Sequence, residues 1–182
     1  MTSLLDMTED QLKILFSKEQ IQQRIAEIAQ ELNIDFKEQD LTVLCVLKGS
    51  VLFTTDLLKH LKMPVQLEFI RLSSYGNDQK SGGKINAVDL TLPSLEGRNV
   101  LIVEDIVDTG LTIKFLTDYL QLQHSVGDLR IATLLDKECT RQHPINIHYR
   151  GFSVDDKFVV GYGLDYKGYY RNLPYIGFFP QS

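Results

Sequence analysis

The chain has 182 residues, 43% of them hydrophobic and 24% charged, which is the balance of one globular domain with a sizeable core. Its net charge of −5 argues against nucleic acid or an anionic membrane as the main partner. No apolar run approaches the roughly 18–20 residues that a membrane-spanning helix needs.

The cysteine content and the first residues bear on the compartment. Cys45 and Cys139 are too few for a disulfide framework and lack the spacing of a zinc site. Residues 1–9 are short and polar, unlike a signal peptide. We therefore expect a cytoplasmic protein without a membrane partner.

The first predicted elements are two helices around a buried strand. Ser17 and Gln20 have the spacing of a capping box, and apolar residues then recur at helical spacing until Asn33. Residues 41–47 are an apolar, β-prone run. Ser50 is predicted to cap a second helix that extends to about residue 61.

The remaining chain alternates between strands and one further helix. Residues 73–84 are polar, contain three glycines and predict a long loop, whereas residues 111–124 predict a helix. The predicted strands are 65–72, 87–92, 100–103, 129–135, 158–164 and 175–179. This alternation favours an α/β fold with a mostly parallel twisted sheet flanked by helices.

The most informative segment is 100–112, which reads VLIVEDIVDTGLT. An apolar strand is followed by acids, a small-residue loop and a helix. Ligands of open α/β folds bind at the carboxyl ends of strands, and a helix N-terminus favours phosphate. Because the acids suit sugar hydroxyls and a metal, the segment predicts a site for a phosphorylated sugar.

This segment resembles the phosphoribosyl-pyrophosphate (PRPP) signature of the phosphoribosyltransferases. From about residue 41 onwards the chain resembles the hypoxanthine/guanine branch of that family. The resemblance rests on five segments in the expected order: 47–50 (LKGS), 71–76 (RLSSYG), 104–112 (EDIVDTGLT), 134–137 (LLDK) and 158–166 (FVVGYGLDY).

The resemblance implies a single domain over 1–182. Its type I phosphoribosyltransferase-like core would span about 38–165, with a small hood from the N-terminal helix and about 166–182. The implied activity is that of a glycosyltransferase of purine salvage. It would transfer the 5-phosphoribosyl group from PRPP to hypoxanthine or guanine, giving IMP or GMP plus diphosphate, with Mg²⁺. A homodimer or homotetramer is also implied.

For the ribose and the metal, the resemblance points to the acids of the signature. Glu104 and Asp105 would contact the ribose hydroxyls and, together with Asp165, Mg²⁺. Asp108 would be the catalytic residue that takes up the proton of purine N7. Alone, the adjacent acids also fit a solvated strand end, and Asp108 also fits a helix N-cap.

The resemblance assigns the 5′-phosphate and the diphosphate of PRPP to separate sets of residues. The 5′-phosphate and ribose site would comprise Glu104, Asp105, Asp108, Thr109, Gly110, Leu111 and Thr112. Some relatives have lysine in place of Leu111, so this chain lacks a charge there but keeps the backbone amides. The diphosphate site would comprise Lys48, Gly49, Arg71, Ser74, Tyr75 and Arg171, with Arg141 as a further contact.

The resemblance implies two further features of the diphosphate region. An unusual peptide bond is expected just before Lys48. The loop at 73–84 is expected to close over the site, which would exclude water from the reactive sugar. A disordered hairpin is the alternative for that loop.

The purine would be held by Lys137, Phe158, Val159 and Asp165. Phe158 would stack on the ring, Lys137 would donate to the 6-oxo group, and the Val159 carbonyl would accept from N1–H. Adenine would place an amino donor against the lysine donor, and a site built for a carbonyl rejects such a base strongly.

Two other classes of protein remain as alternatives. A regulatory module of the same fold would bind PRPP and nucleic acid, but it needs a basic surface. An aspartyl phosphatase of the haloacid dehalogenase type needs acids two apart, whereas Asp105 and Asp108 are three apart.

Overall fold

The computed structural model describes residues 11–75, 84–89 and 91–180, with side chains left out at 73–75 and 84–89. The helices are α1 (Lys18–Asp35), α2 (Val51–Leu58) and α3 (Leu111–His124). The strands are β1 (Lys13–Phe16), β2 (Leu41–Leu47), β3 (Val65–Tyr75), β4 (Lys84–Asp89), β5 (Val100–Val107), β6 (Leu129–Asp136), β7 (Tyr149–Ser153), β8 (Val159–Val160) and β9 (Ile176–Phe178).

The larger sheet has the strand order β4-β3-β2-β5-β6-β7. Five neighbouring strands are parallel, and only the edge strand β4 runs antiparallel to β3. This confirms the predicted mostly parallel sheet.

Helices cover both faces of this sheet. Ile21, Ile25 and Ile28 of α1 share one apolar cluster with residues of α2 and of β2, β5 and β6. Ile113 and Leu116 of α3 belong to a second cluster on the opposite face. Strands buried on both faces need continuous apolar runs, which is why β2 and β5 are so apolar.

A three-stranded antiparallel sheet of order β1-β9-β8 lies beside the core and is consistent with the predicted hood. Its N-terminal component is β1, which the sequence analysis did not predict. The N-terminal helix, assigned above to the hood, packs on the large sheet, where Arg24 donates to the carbonyl of Arg150 in β7.

The capping box at the start of α1 is confirmed. The Ser17 hydroxyl accepts from the Gln20 amide at 3.3 Å, and the Gln20 side chain accepts from the Ser17 amide at 2.8 Å. Ser50, in contrast, forms no side-chain cap for α2. Its hydroxyl donates to the Val46 carbonyl at 2.7 Å, so it stabilises the end of β2.

Several predicted boundaries were wrong. The strand predicted at 100–103 extends to Val107, so Glu104 and Asp105 belong to β5 itself. The strand predicted at 158–164 is only two residues long. Gly161 at φ 100°, Tyr162 at φ 49° and Gly163 at φ 99° turn the chain away from an extended path.

None of the helices in the described residues combines the length and the apolar character that crossing a membrane would require. The predicted loop at 73–84 is described only at its ends, because β3 continues through Tyr75 and residues 76–83 lie outside the described part of the chain.

Candidate active site

The carboxyl ends of β2, β5 and β6 meet at one edge of the sheet, because these strands are adjacent and parallel. Lys48 and Gly49 follow β2, Asp108 follows β5, and Lys137 follows β6. The sheet therefore brings together residues as distant in sequence as Lys48 and Lys137, at the edge where α/β folds bind ligands.

Glu104 and Asp105 form a pair of neighbouring carboxyls at this edge. Glu104 is buried, and its Oε2 has no hydrogen-bond partner among the described residues. Burial, together with the Asp105 carboxyl beside it, raises the pKa of Glu104 well above its ordinary value. Burial also raises the pKa of Asp105. The pair is thus short of hydrogen-bond donors and positive charge.

Gly49 packs directly against this pair. A Cβ added at Gly49 would lie 1.5 Å from Oδ2 of Asp105, and a Cβ added at Gly163 would lie 1.9 Å from the Gly49 carbonyl oxygen. Only glycine permits the backbone to approach this closely. The loop after β2, the acids of β5 and the hood segment around Gly163 therefore converge.

Arg171 lies in that hood segment, and its positive charge partly offsets the rise in the pKa of Asp105. Its guanidinium donates to the Gly163 carbonyl at 2.5 Å and pairs with the Asp165 carboxylate at 2.6 Å. The Gly168 amide also donates to Asp165. Arg171 thus brings a positive charge close to the sheet edge.

The predicted phosphate loop precedes α3. Gly110 is the N-cap of α3 with φ 84°, a left-handed conformation that a side chain would strain. A Cβ there would also lie 2.8 Å from the His143 carbonyl oxygen. The first amides of a helix have no partner within the helix, so those after Gly110 suit an anion.

Asp108 lies just before this loop and is exposed. It is not the N-cap of α3, which excludes one of the alternatives raised above. Its Oδ1 accepts a hydrogen bond from the Thr140 hydroxyl. Its backbone carbonyl accepts from Nε of Arg141 at 2.9 Å.

Lys137 is buried, not a surface lysine, with 8% of its area exposed. Its ammonium group donates to Asp156 at 2.9 Å, and its amide donates to the Val107 carbonyl at 3.0 Å. A lysine this buried is normally paired, and Asp156 supplies the pairing charge.

The proposed purine-stacking residue has an accessible ring. Phe158 is 60% exposed, and its ring meets Tyr166 edge-on at 5.6 Å. Val159, next in the chain, is buried in β8. An aromatic ring this exposed is accessible for stacking on a flat base.

The other diphosphate candidates lie around the end of β2. The peptide bond between Leu47 and Lys48 is cis, as expected from the resemblance. Arg71 is exposed and aligned with Leu47 in the neighbouring strand. Ser74 and Tyr75 belong to β3, but their side chains lie outside the described part of the structure.

The acids of the site have the oxygen chemistry that suits Mg²⁺. The orphaned oxygen of Glu104 and the adjacent Asp105 carboxyl provide hard oxygen ligands, which Mg²⁺ prefers. Over the ranges described, no group of three or more acids, histidines or cysteines forms a closed cage. The residues fit an ion that is also bound by substrate oxygens, as Mg²⁺ commonly is.

The structure adds residues to the site that sequence reasoning missed. Asp136 is 1% exposed and pairs with both Arg141 and Arg150. Arg141, considered above for the diphosphate, donates to the carbonyls of Val107 and Asp108. Thr140 contacts Asp108 across 32 positions of sequence, and no local pattern signals such a pair.

The fold, the acid pair and the glycine loop before α3 together define the class of protein. A family model described as "Phosphoribosyl transferase domain" matches residues 11–167. The chain is therefore an enzyme of the pentosyltransferase class, a phosphoribosyltransferase.

Individual relatives refine this assignment. Hypoxanthine-guanine phosphoribosyltransferase of Bacillus subtilis (strain 168) is 42% identical over 171 residues, 94% of either chain. The crystal structure of a hypoxanthine phosphoribosyltransferase from Staphylococcus aureus has 39% identity and a TM-score of 0.90, covering 99% of this chain and 96% of that one.

A third relative concerns assembly. A structure of Trypanosoma cruzi hypoxanthine phosphoribosyl transferase, from work on the role of its C-terminal region in oligomeric state and activity, has 39% identity and a TM-score of 0.85. It covers 92% of this chain and 91% of that one. With these relatives, the chain belongs to the hypoxanthine-guanine phosphoribosyltransferase family.

Proposed function

We propose that the chain performs purine salvage by transferring the 5-phosphoribosyl group of PRPP to hypoxanthine or guanine, with IMP or GMP and diphosphate as products. One observation carries this proposal. The loop that bears Asp108 is hydrogen-bonded to the segment that bears Lys137, through the Lys137 amide and the Val107 carbonyl at 3.0 Å. This hydrogen bond supports the proposal because it holds the loop of Asp108 beside the proposed 6-oxo donor.

The chemical step needs a positioned sugar and a neutralised leaving group. N9 of the purine attacks C1 of PRPP and forms a C–N bond. The C–O bond to diphosphate breaks, and its electron pair leaves with the diphosphate. The proton on N7 passes to the Asp108 carboxylate, which is exposed to the site edge. Lys48, Arg71 and Arg171 would offset the charge that develops on the diphosphate.

The purine would be selected through its 6-substituent. Lys137 carries three N–H donors and no acceptor, so its ammonium group, held by Asp156, complements a carbonyl. Adenine presents an amino donor at that position, which would leave two donors unpaired in a buried place. Phe158 would stack on the ring, and the Val159 carbonyl would accept from N1–H.

Glu104 and Asp105 are the proposed contacts of the ribose hydroxyls and of Mg²⁺. The raised pKa of Glu104 reflects burial without enough donors, a condition that hydroxyl groups or a cation would relieve. Mg²⁺ would supply charge neutralisation on the diphosphate. Asp165, which pairs with Arg171, is proposed to act on the metal from the hood side.

We further propose a single-domain, cytoplasmic protein that assembles as a homodimer or homotetramer. Both cysteines are free, as is usual in a reducing compartment. Leu67 and Phe69 lie two apart on β3 and are 37% and 48% exposed, on one face of the sheet. Light scattering of the wild type and of Phe69→Ser would test whether this face contributes to assembly.

The test of the purine site is Lys137→Ala. We expect the KM for hypoxanthine to rise by about a hundredfold while PRPP binding changes less than about threefold, because the variant removes the proposed donor to the base and leaves the proposed PRPP contacts in place. Lys114→Ala, which removes an exposed lysine paired on α3, is the matched control. Equal weakening of base and PRPP binding would mean that Lys137 is a structural residue.

A further inference from the structure

We infer that Thr140 is a positioning residue for Asp108, fixing the carboxylate that takes up the purine proton. The inference rests on the proposed function, since it requires Asp108 as the proton acceptor. Thr140 ends a short 3-10 turn, Glu138–Thr140, directly after Lys137. Thr140 lies in none of the sequence motifs described above.

The Thr140 hydroxyl has two oxygen neighbours. Oγ1 contacts Oδ1 of Asp108 and lies 3.0 Å from the carbonyl oxygen of Lys137. The Thr140 amide also donates to that carbonyl at 3.2 Å. Because the side chain is β-branched and the turn fixes its backbone, the hydroxyl has little freedom to move elsewhere.

A hydroxyl has one hydrogen to donate and lone pairs to accept with. When Asp108 is ionised, both neighbours of Oγ1 are acceptors, so only one of the two contacts can be a hydrogen bond. In this arrangement Oδ2 would take up the proton from N7 while Oδ1 keeps accepting from Oγ1. The hydroxyl thus holds the direction of the carboxyl before and after the proton transfer.

The backbone at Asp108 is held by Arg141, the residue that follows Thr140. Arg141 is 13% exposed, and its guanidinium donates to the carbonyls of Asp108 at 2.9 Å and Val107 at 3.1 Å. The buried carboxylate of Asp136 holds the same guanidinium. Thr140 therefore acts on an acid whose main chain is already anchored, so that its hydroxyl determines the direction of the carboxylate.

This geometry links two contacts of the base. O6 and N7 are neighbouring atoms on one edge of a purine, and Lys137 and Asp108 are their proposed partners. Thr140 touches the carbonyl of the first and the carboxylate of the second. Thr140 would keep the Lys137 and Asp108 side chains at the separation that the purine edge requires. This positioning should raise the rate of the chemical step without changing substrate affinity.

The test compares Thr140→Val, which removes only the hydroxyl, with Thr140→Ser, which retains it. We expect the single-turnover rate of nucleotide formation to fall about tenfold in Thr140→Val and less than about threefold in Thr140→Ser. The KM values for PRPP and hypoxanthine should change less than about threefold in both. Thr55→Val is the matched control, because the hydroxyl of Thr55, an exposed residue of α2, also donates to a carbonyl three residues back at 3.0 Å.

The second arm repeats Thr140→Val in Asp108→Asn. If Thr140 acts through the Asp108 carboxylate, the valine should cause less than about twofold further loss there. A normal rate in Thr140→Val, or an equal loss in both backgrounds, would overturn the inference. Full turnover in Asp108→Asn alone would instead remove Asp108 from the chemistry and contradict the proposed function.

Discussion

The backbone of Gly49 lies against the carboxylate of Asp105, so closely that a Cβ at position 49 would come within 1.5 Å of Oδ2. Gly49 belongs to the loop that begins with Lys48, and Asp105 belongs to the central strand. The contact joins the proposed diphosphate loop to the proposed ribose acids. No side chain fits between them.

Gly49→Ala should therefore lower kcat/KM for PRPP by at least about a hundredfold, because either the loop or the Asp105 carboxyl must move by more than an ångström. Steady-state kinetics with varied PRPP would measure it. Gly97→Ala is the control: its φ of 68° makes alanine strained, but nothing lies within 4 Å of the added Cβ and the site is remote. That variant should lose about 1 kcal/mol of stability and keep its kinetics.

The sequence predicted this edge of the sheet well, because its signals are local. Each of these signals can be recognised from a few consecutive residues, as in the apolar runs of β2 and β5, the capping box at Ser17 and the loop at Gly110. The cis bond before Lys48 was expected only through the family resemblance. The edge strand β7 was not predicted, because its short sequence, with Arg150 and Gly151, shows no clear alternation of apolar and polar residues.

What the sequence could not predict depends on distant contacts. Lys137 is buried because Asp156 pairs with it across 19 positions. Thr140 meets Asp108 only because β5 and β6 are adjacent in the sheet. Glu104 was placed beyond its strand because an acid in a buried strand contradicts β propensity, and the active site overrides that preference.

Phe158→Ala should raise the KM for hypoxanthine by roughly tenfold or more, since stacking of a base on an aromatic ring is worth about 1–3 kcal/mol. PRPP binding and the melting temperature should change little, because the ring is 60% exposed. Leu122→Ala, at a side chain that is 78% exposed on α3, is the control for loss of surface apolar area. A large drop in melting temperature for Phe158→Ala would show that the ring is structural.

Leu111→Lys should improve PRPP binding and destabilise the protein. The residue opens α3 beside the proposed phosphate loop, so a cation there would attract the 5′-phosphate and lower the KM several-fold. The same cation opposes the helix dipole, which costs about 0.3–1 kcal/mol. Leu122→Lys, near the other end of the helix, adds the same charge away from the phosphate. An unchanged KM in Leu111→Lys would place the phosphate elsewhere.

The stability of the fold should decline in mild acid partly through His148. Burial, with Arg130 nearby, lowers the pKa of His148 below its ordinary value of 6.5, and its Nδ1 accepts from the Ile131 amide at 3.2 Å. The unfolded chain thus binds the proton more readily. The contribution of the neutral ring is fully present above pH 6.5 and is lost as the pH falls through the lowered pKa.

Melting temperatures of the wild type and of His148→Gln, measured from about pH 7.5 to 5, would check this expectation. The wild type should lose more stability over that interval than the variant, which has no imidazole at position 148. Parallel curves would mean that protonation of His148 does not contribute to acid destabilisation.

The most direct test of the whole account is a steady-state assay with PRPP and Mg²⁺ against hypoxanthine, guanine, xanthine and adenine in turn, following nucleotide formation. We expect product from hypoxanthine or guanine and none from adenine, because Lys137 offers only donors to the 6-position. Product from adenine, or PRPP binding without product from any base, would contradict it, and the second result would favour a regulatory module that senses PRPP.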